Sequence, residues 1–429
     1  MLKRYKKDHD GSNVPVADIY FAKEHGIDSR NIDLDAVWAV RKLKQSGAEA
    51  YVVGGAVRDL LLGRKPKDFD ISTSASPRQV QKIFWNARII GKRFKLVHLV
   101  FKDKILEVST FRSGEDGIEE GSSIYGNVEQ DAKRRDFTIN SLYYDPTDGQ
   151  LLDFNNAMAD FKKKRVRSIL PLPASFSEDP VRMIRAVKYS VTTGFPLQFD
   201  VKRAIKKSAN ELARVSSSRL TEEVSKILSS GDSAKIIAEL HRYKLLVYLL
   251  PCVSVFSRLH EVYASLQVLD EQIRVLKETD EAVDEGMKGQ MLVALVKPIM
   301  SVSPTELTPE ESFKEIFGQV KTLISPLTPP NYDVEHAAVI ILEEAGTAVP
   351  KNCLRARRPV RQPGKPGFRA EQQKHGETPR KGKKVTATVA AAPVKSGPSS
   401  TSNKKRRRRK PKAATNAVHV KPELPATDD

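Results

Sequence analysis

The stretch at 50–73, AYVVGGAVRDLLLGRKPKDFDIST, constrains this chain more than any other part of it. Four mostly apolar residues at 50–53 read as a buried strand. Gly54 and Gly55 break it, and 56–62 carry helical spacing closed by Gly63. A basic loop at 64–67 leads into a second strand, Asp68-Phe69-Asp70-Ile71, whose alternation puts Asp68 and Asp70 on one face. Two carboxylates held side by side repel unless a cation sits between them, and a divalent metal with oxygen ligands relieves the strain best. The expected ion is Mg²⁺, with Asp68 and Asp70 as its ligands. The glycine pair lets backbone N–H groups approach an anion closely. The helix start behind it adds partial positive charge, and Arg58 stands one turn in. The turn therefore expects a polyphosphate. Alone, a GG turn or an Asp-x-Asp is an ordinary turn or a solvated loop; in this order within one unit they describe a site.

Charge is the next constraint. The whole chain of 429 residues has a formal charge of +19, yet residues 346–429 hold 22 lysines and arginines against 5 acids, or +17. That segment also has ten prolines and a single aromatic, Phe368, so it cannot bury enough surface to offset chain entropy and is expected to be disordered. Its densest block, KKRRRRK at 404–410 (Lys404, Lys405, Arg406, Arg407, Arg408, Arg409 and Lys410), reads as an RNA-binding arm, the plainer reading being a solubility tail. The remaining length suits two or three domains. The longest mostly apolar run, 245–256, is interrupted by Pro251 and falls short of the roughly 20 residues a membrane span needs. The N-terminus, MLKRYKKDHDG, lacks the apolar core of a signal peptide. Two cysteines, Cys252 and Cys353, give neither a disulfide framework nor metal-ligand spacing, so the expected compartment is the reducing cytoplasm.

Along the chain, 1–30 reads as a flexible lead with a small apolar anchor at 19–22. The positions Leu34, Val37, Val40 and Leu43 predict a helix at 34–45. Ser76-Pro77 opens another helix, to Phe84. Strands follow at 87–90, 96–101 and 105–110, for a mixed sheet of about five strands. Glu107 falls between Leu106 and Val108, so it is a candidate third carboxylate if its face is that of Asp68 and Asp70, and an exposed strand residue otherwise. Residues 113–126 read as a mobile loop that could act as a lid. In DAKRRDFTINSLYYDP (131–146), Arg134, Arg135 and Asp136 precede an expected helix carrying Phe137, Ile139, Leu142 and Tyr143. Paired arginines suit phosphate oxygens, and the aspartate suits a ribose hydroxyl or a hydroxyl held by a metal. From 177 the pattern is helical. In SEDPVRMIRAVKYS, Asp179 is placed as an N-cap with Pro180 at the first helical position, and Arg182 and Arg185 share a face. Later amphipathic stretches at 218–228, 233–246, 259–278, 311–323 and 334–344 read as scaffold and RNA cradle.

The motifs GGAVRDLLLGRKPKDFDIST, RRDFTINSLYYDP and EDPVRMIRAVKYS stand in the order and spacing of the class II tRNA nucleotidyltransferase and bacterial poly(A) polymerase superfamily, and the chain resembles it over about 24–251. HGID at 25–28, IIGKRFKLVH at 89–98, the NSLYYDP ending, EDPVRM and the basic arm resemble its poly(A) polymerase branch. The resemblance implies an α+β protein: a small mixed-sheet nucleotidyltransferase head at 31–170, a helical neck reading RNA and nucleobase at 171–255, a helical body and tail at 256–345, and the disordered basic segment at 346–429. By position, Asp68, Asp70 and Asp136 match catalytic carboxylates, the first two as metal ligands. Gly54, Gly55 and Arg58 match the triphosphate turn, Arg135 the ribose and phosphate contact, and Asp179, Arg182 and Arg185 the base-reading helix. The implied activity adds AMP from ATP to RNA 3′ ends without a template, releasing pyrophosphate and marking RNA for decay, with RNA-decay proteins as possible partners. The alternatives are CCA addition to tRNA and, further off, a non-catalytic RNA-binding protein.

Overall fold

The computed structural model describes residues 1–8, 10–91, 96–102, 104–113, 125–256, 258–279, 285–300, 307–350 and 353–354. The chain divides into two units, 1–359 and 360–429, and all described residues belong to the first. The basic block at 404–410, most of the expected lid (114–124) and residues 92–95 of IIGKRFKLVH lie outside the described residues.

The strand, turn and helix at 50–62 form as the sequence predicts. β3 (Ala50–Val53) is buried throughout, Gly54 takes φ +71°, and the helix Gly55–Leu61 follows. The other strands are β1 (Leu2–Lys7), β2 (Asn13–Tyr20), β4 (Asp70–Thr73), β5 (Ala87–Ile90), β6 (Leu96–Val100), β7 (Ile105–Thr110), β8 (Leu142–Asp145) and β9 (Gln150–Asp153). They make one sheet in the order β1-β2-β9-β8-β3-β4-β7-β6-β5. It is mixed: β4 and β7 run parallel and the other neighbours antiparallel. Alternation then sorts the side chains. Val52, Ile71, Leu106 and Val108 face a core under the helices Leu34–Gln45 and Pro77–Ile83, while Tyr51, Val53 and Tyr143 pack on the opposite face.

Five expectations are corrected. Among the described residues nine strands replace about five, and β1 and β2 form a β-hairpin where a flexible lead was expected: Asp18, Ile19 and Tyr20 pair with Asp153, Leu152 and Leu151 of β9. The run after Arg135-Asp136 is one 3-10 turn, Thr138–Asn140, followed by β8, because a short apolar run carries no period long enough to separate helix from strand. In the helix Leu34–Gln45 the buried residues are Ala36, Ala39, Val40 and Leu43, and Leu34 is 82% exposed; a strict three-residue repeat drifts off a 3.6-residue face. Finally, β4 starts at Asp70, so Asp68 lies in the approach to the strand.

Beyond residue 170 the chain is helical. Val181–Thr193, Ser217–Leu228, Ser233–Arg242, Leu259–Glu278, Pro309–Leu323 and Asn331–Glu344 fall where periodicity places them, although the third ends four residues early, near Lys244 at φ +59°. Phe199–Ser208 and Glu285–Val296 are additional. One continuous core joins them and takes in Phe137 and Ile139, so the turn after Arg135 ties the sheet to the helices. Among the described residues no helix is long and apolar enough to cross a membrane.

Candidate active site

The antiparallel pairing of β3 with β4 sets Val53 opposite Asp70, at the point where Gly54 turns the chain. A Cβ on Gly54 would stand 3.7 Å from Arg135 Nη1 and 3.8 Å from Asp70 Oδ2, in the space between the two charges. Only glycine combines that opening with a positive φ. On the other side of β4, the parallel register places Glu107 beside Asp70, which answers the expectation for its face. Glu107 is also 3.6 Å from His98 Nε2 across the hairpin. Asp70 keeps solvent contact through the cleft mouth, yet protein surrounds the rest of it. Desolvation pushes its carboxyl up to about 6; Glu107 and Asp68 act in the same direction, and Arg135 and Lys226 oppose them. Lys226 belongs to the helix Ser217–Leu228, acts on Asp70 as the smallest of these effects, and pairs directly with Glu222 at 2.5 Å.

Arg135 is fixed by a buried hub. Its Nε donates to Tyr143 Oη at 2.9 Å, Nη2 to Asp131 Oδ2 at 3.1 Å and Nη1 to the Asn140 carbonyl at 3.4 Å. Tyr143 Oη donates in turn to Asp131 at 2.5 Å, and Ser72 Oγ of β4 to the same carboxylate at 3.2 Å. Asp131 is fully buried; against the desolvation this imposes, Arg135 and Arg134 hold its carboxyl far below the usual range. Burial acts to lower the Arg135 guanidinium, but Tyr143 and Asp131 outweigh it and raise it. Asp131 and Tyr143 were not singled out from the sequence. The only signal was spacing, an acid one helical turn before an Arg-Arg pair.

The second cluster lies where the sheet meets the helices. Asp136 Oδ1 accepts from its neighbour Phe137 N at 2.8 Å and from Asn140 Nδ2 at 3.5 Å; burial and then the Asp136 charge raise Tyr189, whereas Arg185 is lowered by burial and raised above that chiefly by Glu223, with Asp136 adding last. Arg58 donates to Asn140 Oδ1 at 3.0 Å, and its guanidinium carbon is 5.2 Å from the Tyr189 ring centre. Gly55 leaves Arg58 that room, since a Cβ would meet its Nη2 at 3.5 Å. Asp136 thus bonds within its own turn and acts by its charge on the helix Val181–Thr193, while the charges acting on Asp70 include Glu107 and Arg135. On that helix Pro180, rather than Asp179, holds the cap position; Asp179 closes the preceding turn and still accepts from Val181 N at 3.3 Å. Asp179 pairs with Arg219 at 3.0 Å, Arg182 with Glu178 at 2.8 Å, and Arg185 with the buried Glu223 at 2.7 Å. The three residues expected to read the base thus lie at or within the first two turns of one helix, and each has a charged partner of its own.

Residues 50–167 match the family described as the poly A polymerase head domain. That match takes in β3 to β9. Residues 194–256 match a second family, described as the probable RNA and SrmB-binding site of polymerase A. The chain is 36% identical over 280 residues to poly(A) polymerase I of Salmonella typhi, covering 62% of this chain and 60% of that protein. It is 38% identical over 218 residues to the CCA-adding enzyme of Geobacillus thermodenitrificans, covering 50% and 54%. The chain thus spans about three fifths of the length of the poly(A) polymerase relatives it matches. A tRNA nucleotidyltransferase solved with a primer tRNA and an incoming ATP analogue superposes with a TM-score of 0.51 at 24% identity, over 72% of this chain and 87% of that one. That likeness shows the fold alone, a sheet region followed by helices.

Proposed function

We propose that the protein adds AMP from ATP to RNA 3′ ends without a template. The observation that carries this reading is the facing pair of Asp70, with Asp68 and Glu107 beside it, and Arg135 across the opening at Gly54. The excess of carboxylate charge on Asp70 suits a hard divalent cation, held by Asp68 and Asp70. Mg²⁺ suits a pair of carboxylates because it keeps positions for water and substrate phosphate. Bound there, Mg²⁺ supplies activation of the 3′ hydroxyl and neutralisation of charge on the departing pyrophosphate. The protein's own residues orient: the Gly54-Gly55 turn and Arg58 take the triphosphate, Arg135 fixes the phosphate and ribose, and Asp136 steadies the turn that carries them. Asp179 and Arg182 offer an acceptor and a donor to the base, which suits adenine and cytosine and disfavours uracil and guanine. Choosing between those two requires the helix holding them, and the longer match to poly(A) polymerase I supports adenine alone. The unpaired Cys252 and Cys353 suit a reducing cytoplasm, where tailing would mark RNA for decay.

The test supplies ATP alone, CTP alone and both together, with Mg²⁺, to an unstructured RNA and to a tRNA lacking its terminal CCA. Long A tracts on the unstructured RNA are expected. A product ending after C, C and A on tRNA alone would identify the CCA-adding reading, and no extension under any divalent ion a binding protein. Asp70→Ala should reduce incorporation by several orders of magnitude with RNA affinity nearly unchanged; retained incorporation removes Asp70 from the site.

A further inference from the structure

Both tryptophans of the chain, Trp38 and Trp85, line one groove of about 460 Å³ on the helix-covered face of the head. Trp38 has a packing explanation: its ring meets Phe84 and Phe101 edge-on, with centroids 5.2 and 6.0 Å away. Trp85 does not. It is 89% exposed just beyond the helix Pro77–Ile83, and no ring stacks on it among the described residues. Beneath it Asn86 is nine-tenths buried; its Nδ2 donates to the Val100 carbonyl at 3.1 Å, while its Oδ1 has no hydrogen-bond partner.

The charges around the groove point one way. The acids at its edge, Asp33 and Asp35, are both taken up by Lys104, at 2.5 and 2.8 Å. Lys42 lies 5.0 Å from the Trp38 ring centre. The exposed Lys102, which lines the groove with Trp85, has no acidic partner among the described residues, and the exposed Lys82 stands three residues before Trp85. Arg88 pairs with His98 and so lies on the opposite face of the sheet, with Glu107 and Asp70. A bare indole beside lysines without acidic partners suits a polyanion with flat faces: cations track phosphates, and an aromatic face stacks any base. Its place in the fold fits too. Lys102 sits in the turn between β6 and β7, at the end of the sheet where Glu107 of β7 stands beside Asp70. Alternation puts Asp70 on the opposite face, so the groove and the cleft are separated by the sheet edge.

We propose that the groove between Trp38 and Trp85 is a second site for single-stranded RNA, in which an upstream base stacks on Trp85 and phosphates lie against Lys102 and Lys42. This rests on RNA being the substrate. Because the chain has only these two tryptophans, its intrinsic emission reports on the groove alone. An end-labelled, unstructured RNA titrated into the full chain should quench that emission in step with the rise in label anisotropy. Trp85→Ala should remove most of the quenching and weaken affinity about five- to hundredfold, Trp85→Phe should retain most of the affinity, and Lys102→Ala should lower the salt slope by roughly 0.7. AMP addition to a primer too short to reach the groove should be equal in all variants. RNA binding by anisotropy with unchanged emission and unchanged Trp85→Ala affinity would overturn the proposal while leaving the substrate intact. Quenching by an acidic peptide but not by RNA would assign the groove to a protein partner instead. Absence of any RNA binding would overturn the proposal and its premise together.

Discussion

At the scale of single residues, the most consequential side chain near Asp70 is a fully buried carboxylate. Asp131 gathers Ser72 of β4, Arg134, Arg135 and Tyr143, and so connects the strand that starts at Asp70 with the guanidinium facing it. Replacing it with alanine leaves two arginines facing a buried hollow, which by the usual cost of breaking a buried ion pair should destabilise the protein by about 3–5 kcal/mol. The pH dependence follows from the direction of its shift. The unfolded carboxyl titrates near ~3.9 and the folded one well below it, so its contribution is complete above that value and is lost only as pH falls further. Denaturant unfolding of Asp131→Ala and the parent should therefore differ by a constant amount from about pH 5 to 8 and converge in strong acid. A gap that widened on acidification would contradict the assignment.

Elements differ in how far the sequence reveals them, and the difference is physical. The strand, turn and helix at 50–62 were legible because buried alternation, a glycine pair and a closing Gly63 all point to one structure. The cap at Ser76, with Gln79 reciprocating, was legible for the same reason. Of the site, the glycine turn and Asp70 were readable from spacing, and Glu107 as one of two possibilities. Tyr143 and Tyr189 were not, because they meet Arg135 and Arg58 through tertiary packing that leaves no local pattern. The N-terminal hairpin escaped for a different reason. β1, LKRYKK, is an edge strand, and edge strands are written in charge to discourage pairing with other chains, so their sequence lacks the apolar alternation by which strands are read. Arg4 bonds Glu49 at 2.7 Å and Lys6 approaches Glu129 at 3.5 Å, which fastens this charged edge over the sheet. Removing residues 1–20 would expose the edge of β9, so that variant should melt several degrees lower and scatter light on heating. An unchanged melting temperature would return the segment to the flexible lead that its composition suggests.

For the whole molecule, charge is distributed unevenly: residues 1–345 hold +2 and residues 346–429 hold +17. The folded region alone is thus nearly neutral, and its cations are local, at Arg135, at the helix start with Arg182, and around Trp85. Long-range attraction to a polyanion must come from the C-terminal segment, since a field that extends beyond the roughly 8 Å Debye length requires many like charges together. Each phosphate neutralised on a single strand contributes about 0.7 to the slope of log affinity against log salt. A chain ending after Lys395 loses Lys404, Lys405, Arg406, Arg407, Arg408, Arg409 and Lys410. It should bind RNA more weakly at low salt and with a visibly flatter slope, while ATP binding at the Gly54 turn and addition to saturating primer are unchanged. The slope separates two outcomes that affinity alone would confuse. Loss of affinity with the slope preserved would mean that truncation damaged the folded region, and equal affinity and slope would make the basic segment a solubility tail.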